Sequence, residues 1–140
     1  MDMYDIYKEE FFDYISGEDM YYEADNSKDI EELYKECCAK VKEVMKKIKE
    51  LERWTNRLEA FVSKNKETLP IAEREAMLSQ CRANKKCVRD ANREYKGYVK
   101  KMEQSYKDSN IKALKKVRME MNISLKLLDR AIAITADYIA

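Results

Sequence analysis

A chain of 140 residues is long enough for one domain with its own core and too short for a second. Apolar residues make up 45% and charged residues 39%, too apolar for a disordered tail and suited to amphipathic helices with solvated outer faces. The net charge of +1 hides a division: residues 1–33 hold twelve acids against Lys8 and Lys28, a net of −10, which leaves +11 on the remainder. An acidic arm on a basic body either folds back on that body or serves a different partner, unless both are simply solvated faces.

The N-terminus, Met1-Asp2-Met3-Tyr4-Asp5, lacks the cationic region and apolar run of a secretory signal. No stretch approaches the roughly 18 apolar residues of a membrane span. The expectation is a soluble protein of an intracellular, reducing compartment. Ile6, Tyr7, Phe11, Tyr14 and Ile15 recur at helical spacing and predict a short amphipathic helix over about 3–15, ended by Ser16-Gly17 and followed by an acidic loop to Asp25. Aromatic rings alternate with carboxylates throughout this arm, and tyrosine is a favoured interface anchor. Tyr4, Tyr7, Phe12, Tyr21 and Tyr22, with Glu18 and Asp19, are therefore the candidate partner-binding residues. The competing role is docking of the arm on its own bundle, which suits Ile6, Phe11 and Tyr14 better than Tyr21 and Tyr22.

Beyond Ser27 only Pro70 and Gly97 interrupt helical patterning. From Ile30, the residues Tyr34, Cys37, Val41, Val44, Ile48, Leu51, Thr55, Leu58 and Val62 recur in alternating steps of four and three, with Thr55 the one polar member. They predict a straight helix over about 27–66, on the order of 55 to 60 Å long. Asn26 or Ser27 can cap it, Asp29, Glu31 and Glu32 suit its positive end, and Lys64 and Lys66 its negative end. Thr68-Leu69-Pro70 then breaks the pattern, since proline belongs in a first helical turn and not farther in. The second helix, over about 70–106, places Met77, Cys81, Asn84, Val88, Ala91, Tyr95, Tyr98 and Met102 on one stripe. Gly97 inside it costs roughly 1 kcal/mol against alanine and marks either a kink or a close approach by a neighbour. Lys107-Asp108-Ser109-Asn110 is the next turn, with Asp108 or Ser109 as the expected cap.

The third helix, over about 110–139, aligns Ile111, Leu114, Met121, Leu125, Leu128, Ile132, Thr135 and Ile139, with Arg118 intruding and Val117 able to turn inward beside it. Short turns between long helices force antiparallel neighbours. The expected fold is all-α: an up-down-up antiparallel bundle of three long helices over residues 27–140, plus the short N-terminal helix in the 1–26 arm, as a single domain. Leu125, Leu127, Leu128, Ile132, Ile134, Tyr138 and Ile139 give the last helix more apolar width than one seam uses, so a homodimer through this helix is a further expectation.

Fold-backs near residues 68 and 108.5 bring Thr55, Cys81 or Asn84, and Thr135 to about one level, with Trp54 beside them. Such residues either form a buried polar layer that fixes register or lie at the stripe's wet edge. The same levels keep Cys37 and Cys38 roughly 17 Å from Cys87, and Cys81 and Cys87 point to different sides of one helix. Free thiols are expected, as buried small hydrophobes, with no metal site.

The chain has no histidine, no glycine-rich phosphate loop and no nucleophile elbow. The expected function is therefore non-enzymatic and cofactor-free. Asn122-Ile123-Ser124 matches a glycosylation acceptor, moot without secretion. The leading expectation is a regulatory or inhibitory module that binds another protein through its helical surface and acidic arm. An alternative is nucleic-acid binding by a basic face of Arg82, Lys85, Lys86, Arg89, Arg93 and Lys96, continued by Lys100 and Lys101. The spacing of those cations, taken as winding around most of the helix, weighs against it. A further alternative has the acidic arm imitate a polyanion and block a partner's basic groove.

Three long antiparallel helices, the second reading Ala91-Asn92-Arg93-Glu94 and ending Lys101-Met102-Glu103-Gln104, resemble the N-terminal three-helix domain of syntaxins. The resemblance implies a bundle that regulates membrane-fusion helices by docking. It is a likeness of architecture, and no functional residue is carried over from it.

Overall fold

The computed structural model describes residues 30–140. The expected short helix over 3–15, the acidic loop after it and the whole arm lie outside the described residues. Three helices make up the rest: α1 (Ile30–Lys64), α2 (Ile71–Lys107) and α3 (Ile111–Ile139), each packed against the other two. The fold is an all-α three-helix bundle. Glu36 pairs with Arg118 and Lys47 with Asp129 at the same sequence separation, so α1 and α3 run parallel. Glu59 pairs with Lys85 while Tyr34 stacks on Tyr106 with ring centroids 4.3 Å apart, so α2 returns antiparallel between them.

The heptad-like stripe of α1 is the face that goes inward: Cys37, Val41, Val44, Ile48, Leu51, Thr55, Leu58 and Val62 are all buried. Leu33, not Ile30 or Tyr34, is the buried residue of the first turns. Helix α1 ends at Lys64, two residues before the expected boundary, because Asn65 turns the chain: its carbonyl accepts from the amides of Thr68 and Leu69. Pro70 sits just outside α2, at φ −56° and ψ 144°, and Ile71 begins the helix. Its missing amide hydrogen costs nothing there.

The second turn departs from expectation in its cap. Asn110, rather than Asp108 or Ser109, caps α3, its side-chain oxygen accepting from the amide of Ala113 at 3.0 Å. Asp108 and Ser109 instead close α2. The amide of Asn110 donates to the Ser105 carbonyl at 2.8 Å and that of Ser109 to Tyr106 at 3.0 Å, the paired bonds of a Schellman ending. That ending needs a left-handed residue, and Ser109 takes it at φ 53°.

Of the two expected explanations for Gly97, the close approach does not hold: a β-carbon built there meets nothing within 4 Å, and helix α2 continues across it.

The core falls into two apolar clusters. The larger runs from Leu33 to Leu51 on α1, with Cys87, Tyr98 and Met102 from α2 and Leu114, Val117, Met121 and Leu128 from α3. The smaller gathers Leu58, Val62, Met77 and Cys81 near the α1–α2 turn, with Tyr138 and Ile139 against it. Val117 turns inward as expected, while Arg118 stays half-buried and reaches Glu36 at 3.1 Å. Helix α3 also buries residues outside its expected stripe. Ile123 follows Leu114 by nine residues, about two and a half turns, and so faces the opposite way, yet it is 1% exposed against 0% for Leu114.

Candidate interaction surface

The level between the two apolar clusters is polar. Thr55, Asn84 and Thr135 are all buried, and the amide nitrogen of Asn84 donates to the Thr135 hydroxyl at 2.8 Å, tying α2 to α3. Gln80 donates to the Asn84 oxygen at 2.9 Å. The Thr135 hydroxyl passes its own proton to the Ala131 carbonyl at 2.6 Å, and Thr55 donates to Leu51 at 2.7 Å. Asn84, not Cys81, is the α2 member of the layer; Cys81 belongs to the smaller apolar cluster. The reason is a fold-back slightly later than residue 68, which shifts α2 by about one turn along α1. Trp54 lies half-buried on α1, with the Arg57 guanidinium 4.9 Å over its ring.

A second polar cluster was not expected from sequence. Tyr98 shares a hydrogen bond of 2.5 Å with Ser124, and its hydroxyl also lies 3.1 Å from the Glu94 carboxylate, which Ser124 approaches at 3.3 Å. Two hydroxyl protons thus run in relay to one carboxylate, and no buried side-chain nitrogen or oxygen among the described residues lacks a partner. Burial, and then the adjacent Glu94 charge, raise the Tyr98 pKa far above the ordinary phenol value. Ser124, the third residue of the glycosylation match, is 1% exposed and committed to this cluster. Counting levels brings α3 to within about a turn of Tyr98, but it cannot pick a serine out of an apolar stripe.

All four cysteines are free, as expected. Burial pushes the Cys37 thiol up to about 11 and raises Cys81 as well. Among the described residues no group of three or more Cys, Asp or Glu side chains converges as a metal site would require, and no helix is long and apolar enough to cross a membrane.

Helix α2 exposes a row of cations. Arg82, Lys86, Arg89, Arg93, Lys96 and Lys100 follow one another by four, three, four, three and four residues, and all six are exposed, with Lys85 exposed beside them. At 3.6 residues per turn this spacing holds them on one face, so the cations do not wind around the helix as first read. They form a ridge roughly 27 Å long. The two acids within that stretch lie beside the ridge rather than on it: Asp90 is buried and Glu94 reaches Ser124. Arg93 has Asp90 and Lys85 has Glu59 as acidic neighbours, each at 3.1 Å. Lys101 leaves the ridge and bridges to Glu120 on α3 at 3.3 Å.

At its Lys100 end the ridge meets an open groove of about 690 Å³ between α2 and α3. Val117 and Ala113 lie along it, and Lys100, Lys101, Lys107 and Lys116 line it with Glu103 and Glu120. Tyr106, one of two large hydrophobic residues exposed among those described, lies on the same stretch of α2. The structure therefore brings the basic-face residues together. The arm candidates Tyr4, Tyr7, Phe12, Glu18, Asp19, Tyr21 and Tyr22 lie outside the described residues. No family model, curated protein or solved structure compared with the chain matches it.

Proposed function

We propose that this chain is a non-enzymatic regulatory module that binds another protein, receiving an acidic, partly apolar segment of that partner on the α2 ridge and in the groove beside it. The observation that carries this reading is the continuity of the two features through Lys100. A ridge of cations alone attracts any polyanion. A groove lined by lysines over Ala113 and Val117 favours a polypeptide that offers carboxylates with hydrophobic side chains among them. The acidic tyrosine-rich arm adds a second binding element, and four free thiols suit a reducing compartment.

The test is capture of partners from the native cell by the full chain, by a chain lacking residues 1–26, and by a Lys100→Glu/Lys116→Glu variant. Loss of one specific partner in the groove variant supports the proposal. Retention of every partner removes the groove from it.

The ridge also favours a second reading, nucleic-acid binding along the outer face of α2. Binding of duplex DNA or RNA that weakens steeply with salt and is lost in Arg82→Glu/Arg89→Glu would establish it. No binding at low salt would end it. In that case deleting residues 1–26 should strengthen binding, whereas a polyanion-mimicking arm requires the deletion to abolish inhibition of a partner.

A further inference from the structure

Gly97 lies one helical turn from Arg93 and one turn from Lys100 and Lys101, so three exposed cations ring it on the surface of α2. Glu94, the fourth residue around it, accepts from Ser124 and Tyr98. A β-carbon built on Gly97 meets nothing within 4 Å among the described residues, so the bundle itself has no use for a missing side chain there. A glycine in mid-helix nevertheless destabilises the helix relative to alanine. Lys100 and Lys101 also line the groove between α2 and α3, which puts this notch where ridge and groove join.

We infer that Gly97 is the contact point of the partner proposed above, the place where an acidic amphipathic helix of that partner crosses α2. The inference rests on the reading that ridge and groove receive an acidic segment, and adds the segment's conformation and the residue that selects it. The main chain of α2 is paired internally and offers no amide or carbonyl to an extended strand. A segment that buries its backbone against α2 must therefore satisfy that backbone within itself, as a helix does. Packed helices have axes about 8 to 10 Å apart, and a glycine at the crossing permits the closer end of that range. The ridge cations repeat in steps of four and three, the spacing at which a second helix presents carboxylates along one edge. The ridge is long enough for about 18 residues of such a helix. Arg93 and Lys101 already bridge to Asp90 and Glu120, but their side chains are 77% and 58% exposed, and bridges so exposed are weak enough to exchange. An apolar side chain beside the crossing then points toward Ala113 and Val117 in the groove.

Fluorescence anisotropy with the full chain and two labelled synthetic peptides of about 20 residues tests this. One peptide is a helix with glutamates in alternating steps of four and three and with alanine and leucine on the adjoining stripe; the other has the same composition in scrambled order. The parent chain should bind the helical peptide about tenfold or more tightly than the scrambled one. Gly97→Ala should weaken that binding about tenfold while its denaturation midpoint rises, and Gly97→Leu should weaken it about a hundredfold, because added carbon overfills the crossing. Unchanged binding in a folded variant overturns the inference, and so does weaker binding by a Gly97→Ala chain whose midpoint falls. Should Gly97→Leu fail to fold, Gly97→Ala alone decides. Equal binding of both peptides by the parent also overturns the inference but leaves the acidic-segment reading standing. Binding of neither peptide overturns both.

Discussion

Helices α2 and α3 share a turn, a core and a polar layer, yet they treat their outward sides in opposite ways. Helix α2 gives its outer face to solvent as an unbroken row of cations, while α3 buries residues on opposite sides of its axis between Leu114 and Leu128. A bundle helix with two neighbours needs only one apolar face of roughly 100° or more. A helix buried all round needs a third. The contrast separates the side of the molecule built to meet charge from the side that is already packed.

The largest expected effect tests that packing directly. Ile123→Ala on the back of α3 should cost about 2 to 4 kcal/mol, as much as Leu114→Ala on the front. A chemical-denaturation loss below about 0.5 kcal/mol at Ile123 would mean that the back face is wet in solution and would erase the contrast.

Next is the layer that joins the two helices. Asn84→Ala removes the donor to Thr135 and the acceptor for Gln80, and should cost about 1 to 3 kcal/mol.

The alkaline limb of stability should be smaller and signed. Cys37 and Tyr98 both have raised pKa values in the fold, so their contribution is fully present below their unfolded values and is lost as pH rises. The loss should run between about 9 and 11 for Cys37 and begin above 10 for Tyr98. Tyr98→Phe should lower stability by about 1 kcal/mol at neutral pH and flatten the decline above pH 10. Thermal unfolding across pH 8 to about 11.5 measures both.

The smallest effects belong to α2. Gly97→Ala should stabilise by about 0.5 to 1 kcal/mol, because open space surrounds the new methyl group. Arg89→Glu should stay within about 0.5 kcal/mol, since it removes no packed contact. A larger loss at Arg89 would show that the ridge is structural.

Much of the fold was legible because helical periodicity is local. The stripe from Cys37 to Val62 is the buried face of α1, and the interval around Pro70 and Asn110 sets where the chain reverses. The cap of α3 was missed because Asp108, Ser109 and Asn110 are all competent caps, and only the left-handed Ser109 decides among them. The ridge was misjudged through its spacing, although four-three alternation from Arg82 to Lys100 was already written in the chain. The groove at Val117 and Lys116 was not legible, since it exists only where two helices meet side by side.

By itself, then, the sequence determined three long helices, their order and antiparallel succession, and an acid-to-base division along the chain, all of which follow from the identity and spacing of near neighbours. Tertiary structure alone decided that Asn84 rather than Cys81 bonds Thr135, that Tyr98 and Ser124 share a hydrogen bond, and that Ile123 is as buried as Leu114. Those outcomes depend on the axial offset between helices and on what covers each face. A shift of one turn, about 5.4 Å, changes every partner without changing a single stripe.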